Sequence, residues 1–125
     1  MREVIKAFKA LSDETRLRVL NLLLQRECCV CEVMQALEIS QSKASRHLSA
    51  LYDAGFLKQR KEGLWSLYSM DEDMEDYLSE LVAATRKALR NSKTAELDKE
   101  RLKKANRTGS ACARNRSTRE LRSNA

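Results

Sequence analysis

The chain has 125 residues, which allows one core-bearing domain of about 100 residues plus an extension. Aromatic residues make up only 5% and proline is absent, while Leu, Ala, Glu, Lys and Arg dominate, a balance that excludes a sandwich or barrel and favours a mostly helical chain. Residues 1–92 carry 14 basic and 14 acidic side chains against 10 and 4 in 93–125, so the net charge of +6 lies in the last segment and only local clusters can argue for nucleic-acid binding.

Val4, Phe8 and Leu11 fall at i, i+4 and i+7, with Ile5 widening the stripe, so a short first helix is expected, ended or re-capped by Ser12. Ser12, Asp13 and Glu14 supply a cap and two anions where a helix dipole favours them, and Leu17, Leu20 and Leu24 give one apolar face to a helix over 13–25. The densest apolar stretch, 19–24, is broken by Asn21 and falls far short of the ~20 residues of a membrane span. Residues 1–10 are charged throughout, so the expected location is cytoplasmic, without a membrane partner.

Val30, Val33, Met34 and Leu37 mark the next helix, and a tight connection at Ile39 and Ser40 leads to another carrying Ala44, Leu48, Leu51 and Tyr52. Two short helices so closely joined read as helix-turn-helix. Gly55 followed by Phe56 suits a Schellman ending. Residues 57–61 and 65–70, separated by a turn with Glu62 and Gly63, read as a β-hairpin. Asp71, Glu72, Asp73, Glu75 and Asp76 load the start of a last helix with anions, and Met74, Leu78, Leu81, Thr85 and Leu89 follow a near-heptad spacing that needs a partner surface. Beyond Asn91 the apolar pattern fails, since Leu97 and Leu102 are five apart. The expectation is a winged-helix DNA-binding and dimerisation domain over 1–91 and a basic, flexible tail over 92–125, with at most a frayed helix holding the Glu100/Lys104 pair.

There is no internal repeat, Gly-rich phosphate loop, nucleophile elbow or paired-carboxylate arrangement, so no enzyme is expected. Helix-turn-helix followed by a hairpin is the order of a winged helix, mostly α with a small β-hairpin, whose second helix enters the major groove while the hairpin touches flanking backbone. On that helix Ala44, Leu48 and Leu51 turn inward, leaving Gln41, Ser42, Lys43, Ser45 and Arg46 able to reach bases and phosphates of double-stranded DNA. A polar outer face alone is commonly just a solvated face. Lys58, Arg60 and Lys61 in the hairpin shift the balance toward DNA.

Of the four cysteines, Cys28 and Cys29 are adjacent, a poor arrangement for a disulfide framework, so reduced thiols with a metal-binding or redox duty are expected. Cys29 stands three residues before Glu32, where a capping box places Ser or Thr; thiol caps poorly, which points to another use for the sulfur. A helix N-terminus lowers a thiol pKa, and soft thiolates select soft ions. Cysteines two apart do not share a face of a regular helix, so one ion gripping Cys29 and Cys31 would have to distort the first turn. Small buried hydrophobes are the plainer reading, against which stands the clustering of three cysteines in four positions.

The segments Leu11-Ser-Asp-Glu-Thr-Arg-Leu-Arg18, Ser40 to Leu48 with its Ser-Arg-His-Leu, and Glu62-Gly-Leu-Trp65, in this order, resemble the arsenical-resistance and metallothionein repressors of the ArsR/SmtB type over residues 4–89. The resemblance implies a homodimer, paired through its first and last helices, that releases operator DNA on binding its inducer. Cys29-Val30-Cys31 is similar to the Cys-Val-Cys box of the arsenic-sensing branch, which implies trivalent arsenic or antimony as inducer and no cofactor for folding. Met34 stands where that branch often has a third cysteine, leaving Cys28, which is favoured, or Cys112 as third ligand. His47 is expected in a structural or DNA-side role. The rivals are a thiol redox or persulfide switch on the same fold, a zinc or cadmium sensor, for which a lone histidine is a poor ligand set, and an RNA- or protein-binding winged helix with no inducer.

Overall fold

The computed structural model describes residues 1–107. In chain order they form α1 (Arg2–Ala10), α2 (Glu14–Gln25), β1 (Cys28–Cys29), α3 (Val30–Leu37), α4 (Gln41–Asp53), β2 (Leu57–Glu62), β3 (Trp65–Met70), α5 (Asp76–Leu89) and α6 (Lys93–Lys104). This is a winged helix-turn-helix in which α3 and α4 are the helix pair and β2–β3 the wing. Among the described residues no helix is long and apolar enough to cross a membrane.

Local chemistry sets the boundaries. The cap of α2 is Asp13 itself, whose carboxylate accepts from the Arg16 N–H at 2.9 Å, while Ser12 Oγ donates back to the Phe8 carbonyl at 2.7 Å and closes α1. Ser40 Oγ accepts from the Lys43 N–H and starts α4. Gly55, at φ +95°, ends α4 as the sequence suggests: the Phe56 N–H bonds the Leu51 carbonyl at 3.1 Å, the long bond of a Schellman motif. Helix α5 begins at Asp76 rather than at the acidic run from Asp71, because Asp71 Oδ1 takes the Asp73 N–H in a local turn that precedes the helix.

The core gathers Val19, Leu20 and Leu22 of α2, Val33 of α3, Leu48 and Leu51 of α4, and Phe56, all essentially inaccessible. The sheet has three strands rather than the two of the expected hairpin, in the order β1-β3-β2. Two residues, Cys28 and Cys29, pair antiparallel with Tyr68 and Leu67 and tie the chain before α3 to the wing.

The boundary expected after Asn91 does not mark the end of packed structure. Helix α6 lies against α2 and α3, burying Ala95, Asp98, Leu102 and Ala105. These positions follow i, i+3, i+7 and i+10 and share one face, but an acid and two alanines stand where a stripe of large apolar residues would be sought. Arg18 of α2 completes the face, its Nε and Nη2 meeting the fully buried Asp98 carboxylate at 2.7 and 2.8 Å. Asn21 donates to the Ala95 carbonyl at 3.2 Å. Leu97, one of the residues that broke the expected pattern, points outward.

Candidate functional site

The α4 face opposite the core is the candidate DNA-reading surface. Ala44, His47, Leu48 and Leu51 are buried, Ser42, Lys43 and Arg46 are exposed, and Gln41 and Ser45 are half-buried at its edge. His47 turns inward, with Nδ1 lacking a hydrogen-bond partner, and burial pushes its pKa down despite the nearby Asp13 carboxylate.

The wing cations divide. Lys61 is exposed, and Lys58 lies 3.1 Å from Glu72. Arg60 is committed elsewhere: its Nε and Nη2 grip the two oxygens of Glu27 at 2.9 and 2.8 Å, and its Nη1 meets Glu62 at 2.9 Å. These contacts hold the Glu27 carboxyl below its usual range and raise the Arg60 pKa.

The cysteine segment sits between α2 and α3. Cys29 is the N-cap of α3, in extended backbone at φ −90°, ψ 169°, and Glu32 Oε1 accepts its N–H at 2.9 Å while the Cys29 sulfur faces the Glu32 N–H. A serine-type capping box is thus built with sulfur. Because Cys29 lies outside the helix, the one-face restriction on residues two apart does not apply, and its Sγ lies 3.2 Å from Cys31 Sγ. The distortion expected for gripping both sulfurs is therefore unnecessary: the undistorted first turn already brings them together.

Cys28 does not join them. Successive residues of a strand face opposite ways, and Cys28 packs into the main core while Cys29 and Cys31 form a separate cluster with Leu67, flanked by Met34 and Trp65. That alternation places the expected third ligand on the other face of β1 from the pair. Burial pushes its thiol up to about 12. Cys29 is also raised, burial outweighing the N–H groups of Glu32 and Cys31, so the lowered pKa expected of a helix N-terminus is not found. Cys112 lies outside the described residues. Among those described, no group of three or more His, Cys, Asp or Glu is arranged to hold a metal ion.

Residues 13–59 match the family described as bacterial regulatory protein, arsR family. The arsenic resistance transcriptional regulator ArsR1 of Pseudomonas putida is 41% identical over 87 residues, 66% of this chain and 67% of the relative. The chain belongs to the arsR family. A cadmium resistance transcriptional regulatory protein, the CadC homolog of Staphylococcus aureus, is 46% identical over 72 residues, covering 57% of this chain and 60% of its own length. In structure, this arsR-family chain is similar to the homodimeric winged helix-turn-helix DNA-binding domain Mb0332 of Mycobacterium bovis, with a TM-score of 0.61 at 27% identity over 74% of this chain and 82% of that one.

Around the cysteine pair of this arsR-family chain, sequence reasoning gave no role to Arg26, Glu27 or Arg107 and only that of a capping partner to Glu32. Buried Glu32 receives Arg26 Nη1 at 2.7 Å and Arg107 Nε at 3.3 Å as well as the Cys29 N–H. Arg26 Nη1 and Arg107 Nη2 both donate to the Glu27 carbonyl, at 3.0 and 3.2 Å. Glu27 and Glu32 flank the cysteines in sequence and could have been suspected. Arg107, eighty positions from Glu27, gave no signal.

Proposed function

We propose that this chain is a cytoplasmic, homodimeric repressor that holds operator DNA through α4 and the wing, and releases it when trivalent arsenic or antimony takes the sulfurs of Cys29 and Cys31. The observation that carries the reading is the buried sulfur pair at 3.2 Å. With metal–sulfur bonds of about 2.3 Å, a pyramidal centre with near-right-angle bonds spaces its sulfurs by roughly 3.3 Å and a tetrahedral ion by roughly 3.8 Å. The pair fits the pyramidal centre better, which favours the metalloid over zinc or cadmium.

The raised Cys29 pKa is compatible with this chemistry. Arsenous acid is neutral and carries its own hydroxides: once Cys29 and Cys31 are both in the reduced thiol form, each thiol proton leaves with one hydroxide as water while an As–S bond forms, so the two give a dithiolate that keeps one hydroxide. No thiolate need exist beforehand. A sulfur bonded to arsenic no longer serves the Glu32 N–H, so the cap of α3 weakens, and α3 is the helix that α4 packs on. For DNA, Gln41, Ser42, Lys43, Ser45 and Arg46 are assigned to the reading face and Lys58 and Lys61 to backbone contact. Dimerisation is assigned to α1, where Ile5 and Phe8 are 47% and 52% exposed, and to the half-buried Tyr77, Leu81 and Leu89 of α5.

The test is fluorescence anisotropy on an operator duplex selected from a randomised pool, with reduced protein titrated in separate arms with arsenite, antimonite, zinc, cadmium and a persulfide donor. Release by arsenite and antimonite at the lowest concentrations is expected. Release by a divalent ion or the persulfide donor, with arsenite inert, overturns the reading.

A further inference from the structure

Residues paired across neighbouring strands share a face of the sheet. Leu67 of the central strand pairs with Cys29 on one side and Arg60 on the other, so one rank runs from the cysteine pair through Leu67 to the wing arginine. Glu27, two residues before Cys29, reaches across the same face and closes a bidentate pair with Arg60. The arginine of the wing is thus held by a carboxylate belonging to the cysteine segment. A carboxylate and a phosphate offer the same planar fork the same pair of acceptors, so they compete for it. Glu27 is in turn fixed by Arg107, whose Nη2 holds its carbonyl at 3.2 Å and whose Nη1 lies 3.9 Å from its carboxylate.

We infer that Glu27 is a positioning residue for DNA binding: it occupies Arg60 in competition with the phosphate backbone, and so makes the grip of the wing depend on the segment that carries the cysteine pair. When the segment is at rest the pair is partly given up to phosphate on DNA. When Cys29 is drawn toward an inducer, the rank through Leu67 moves with it and the exchange between Glu27 and phosphate shifts. The second part rests on the proposed metalloid response; the competition itself does not.

The experiment is a mutant cycle of wild type, Glu27→Gln, Arg60→Gln and the double variant. Affinity for a short mixed-sequence duplex is read by anisotropy between about 50 and 200 mM salt, where phosphate contacts dominate. Thermal melts confirm that each variant folds. Glu27→Gln frees the Nε and Nη2 edge of Arg60, with Nη1 still on Glu62, for one phosphate contact, so it should steepen the salt slope by about 0.9 and lose about three- to fourfold more affinity than wild type across that range. Glu27→Asp, which keeps the carboxylate, should stay near wild type. In the Arg60→Gln background the Glu27→Gln change should do nothing; an equal steepening there would be a plain net-charge effect and overturns the proposal, as does an unchanged slope in the single variant. In a second arm, arsenite should titrate the thiols of Glu27→Gln as in wild type but release the selected operator by a smaller factor. An unchanged factor overturns the coupling, whereas arsenite failing to release wild type defeats the metalloid reading and leaves the salt-slope cycle to decide the competition.

Discussion

Two sulfurs and one imidazole concentrate the residue-level chemistry. Cys29→Ser retains a side chain that caps α3 at least as well, and Cys31→Ala leaves a small apolar group in the cluster with Leu67, so both variants should fold and bind operator. Both should lose release by arsenite at concentrations that empty the wild type, because one remaining sulfur cannot hold the metalloid as a chelate. Operator release by either variant at the wild-type arsenite concentration would dismiss the pair. On the reading face, Arg46→Ala and Gln41→Ala should each lower discrimination between the selected operator and a scrambled duplex by about 1–3 kcal/mol; undiminished discrimination in both would displace the assigned face. His47 is the only histidine, and its pKa is lowered on folding, so the unfolded chain binds the extra proton first. Stability contributed by the neutral ring is complete above the unfolded value and falls as pH drops through about 6.5 and below. Thermal melts should therefore show wild type losing stability between pH 7 and pH 5, with a smaller loss in His47→Gln.

Among the elements, α1 to α4 and the wing were legible because each announces itself in large side chains at the right period, or in a cap, or in a glycine forced to positive φ. Helix α6 was not. Its buried face is Ala95, Asp98, Leu102 and Ala105, and an aspartate in such a row signals solvent until the arginine that meets it is known, eighty positions earlier. Strand β1 was hidden for a different reason: two residues show no alternation, and its pairing with β3 is a long-range fact. That same strand decides which cysteines meet: it sets Cys28 in the main core and Cys29 beside Cys31, an arrangement that spacing does not reveal. Spacing alone treated Cys29 as helical and Cys28 as its neighbour in function. Asp98→Ala should show what the Arg18–Asp98 pair contributes: leaving the half-buried Arg18 without its partner costs about 1–3 kcal/mol, read as a lower denaturant midpoint with little change in slope. A midpoint equal to wild type would mean that the Arg18–Asp98 pair adds no stability to the fold.

As a whole molecule, the chain presents apolar side chains of α1 and α5 that nothing within its described residues covers. Ile5 and Phe8 stand about half exposed on a helix whose inner face, Ala7 and Ala10, is already used against the core. Sedimentation at micromolar concentration should give a dimer, and charged replacements such as Phe8→Glu should give folded monomers with weakened operator binding; a wild-type monomer would remove the dimeric reading. The sealing of α2 by α6 also carries a consequence for synthesis. Arg18 and Asn21 emerge from the ribosome long before Asp98 and Ala95, which lie 80 and 74 positions downstream. A nascent chain that has already produced α4 therefore still has a charged, unfilled seam along α2, to be closed over a long loop. Closing that seam waits on α6 leaving the ribosome, so a ribosome halted between α5 and α6 would display α4 on a body that has yet to close.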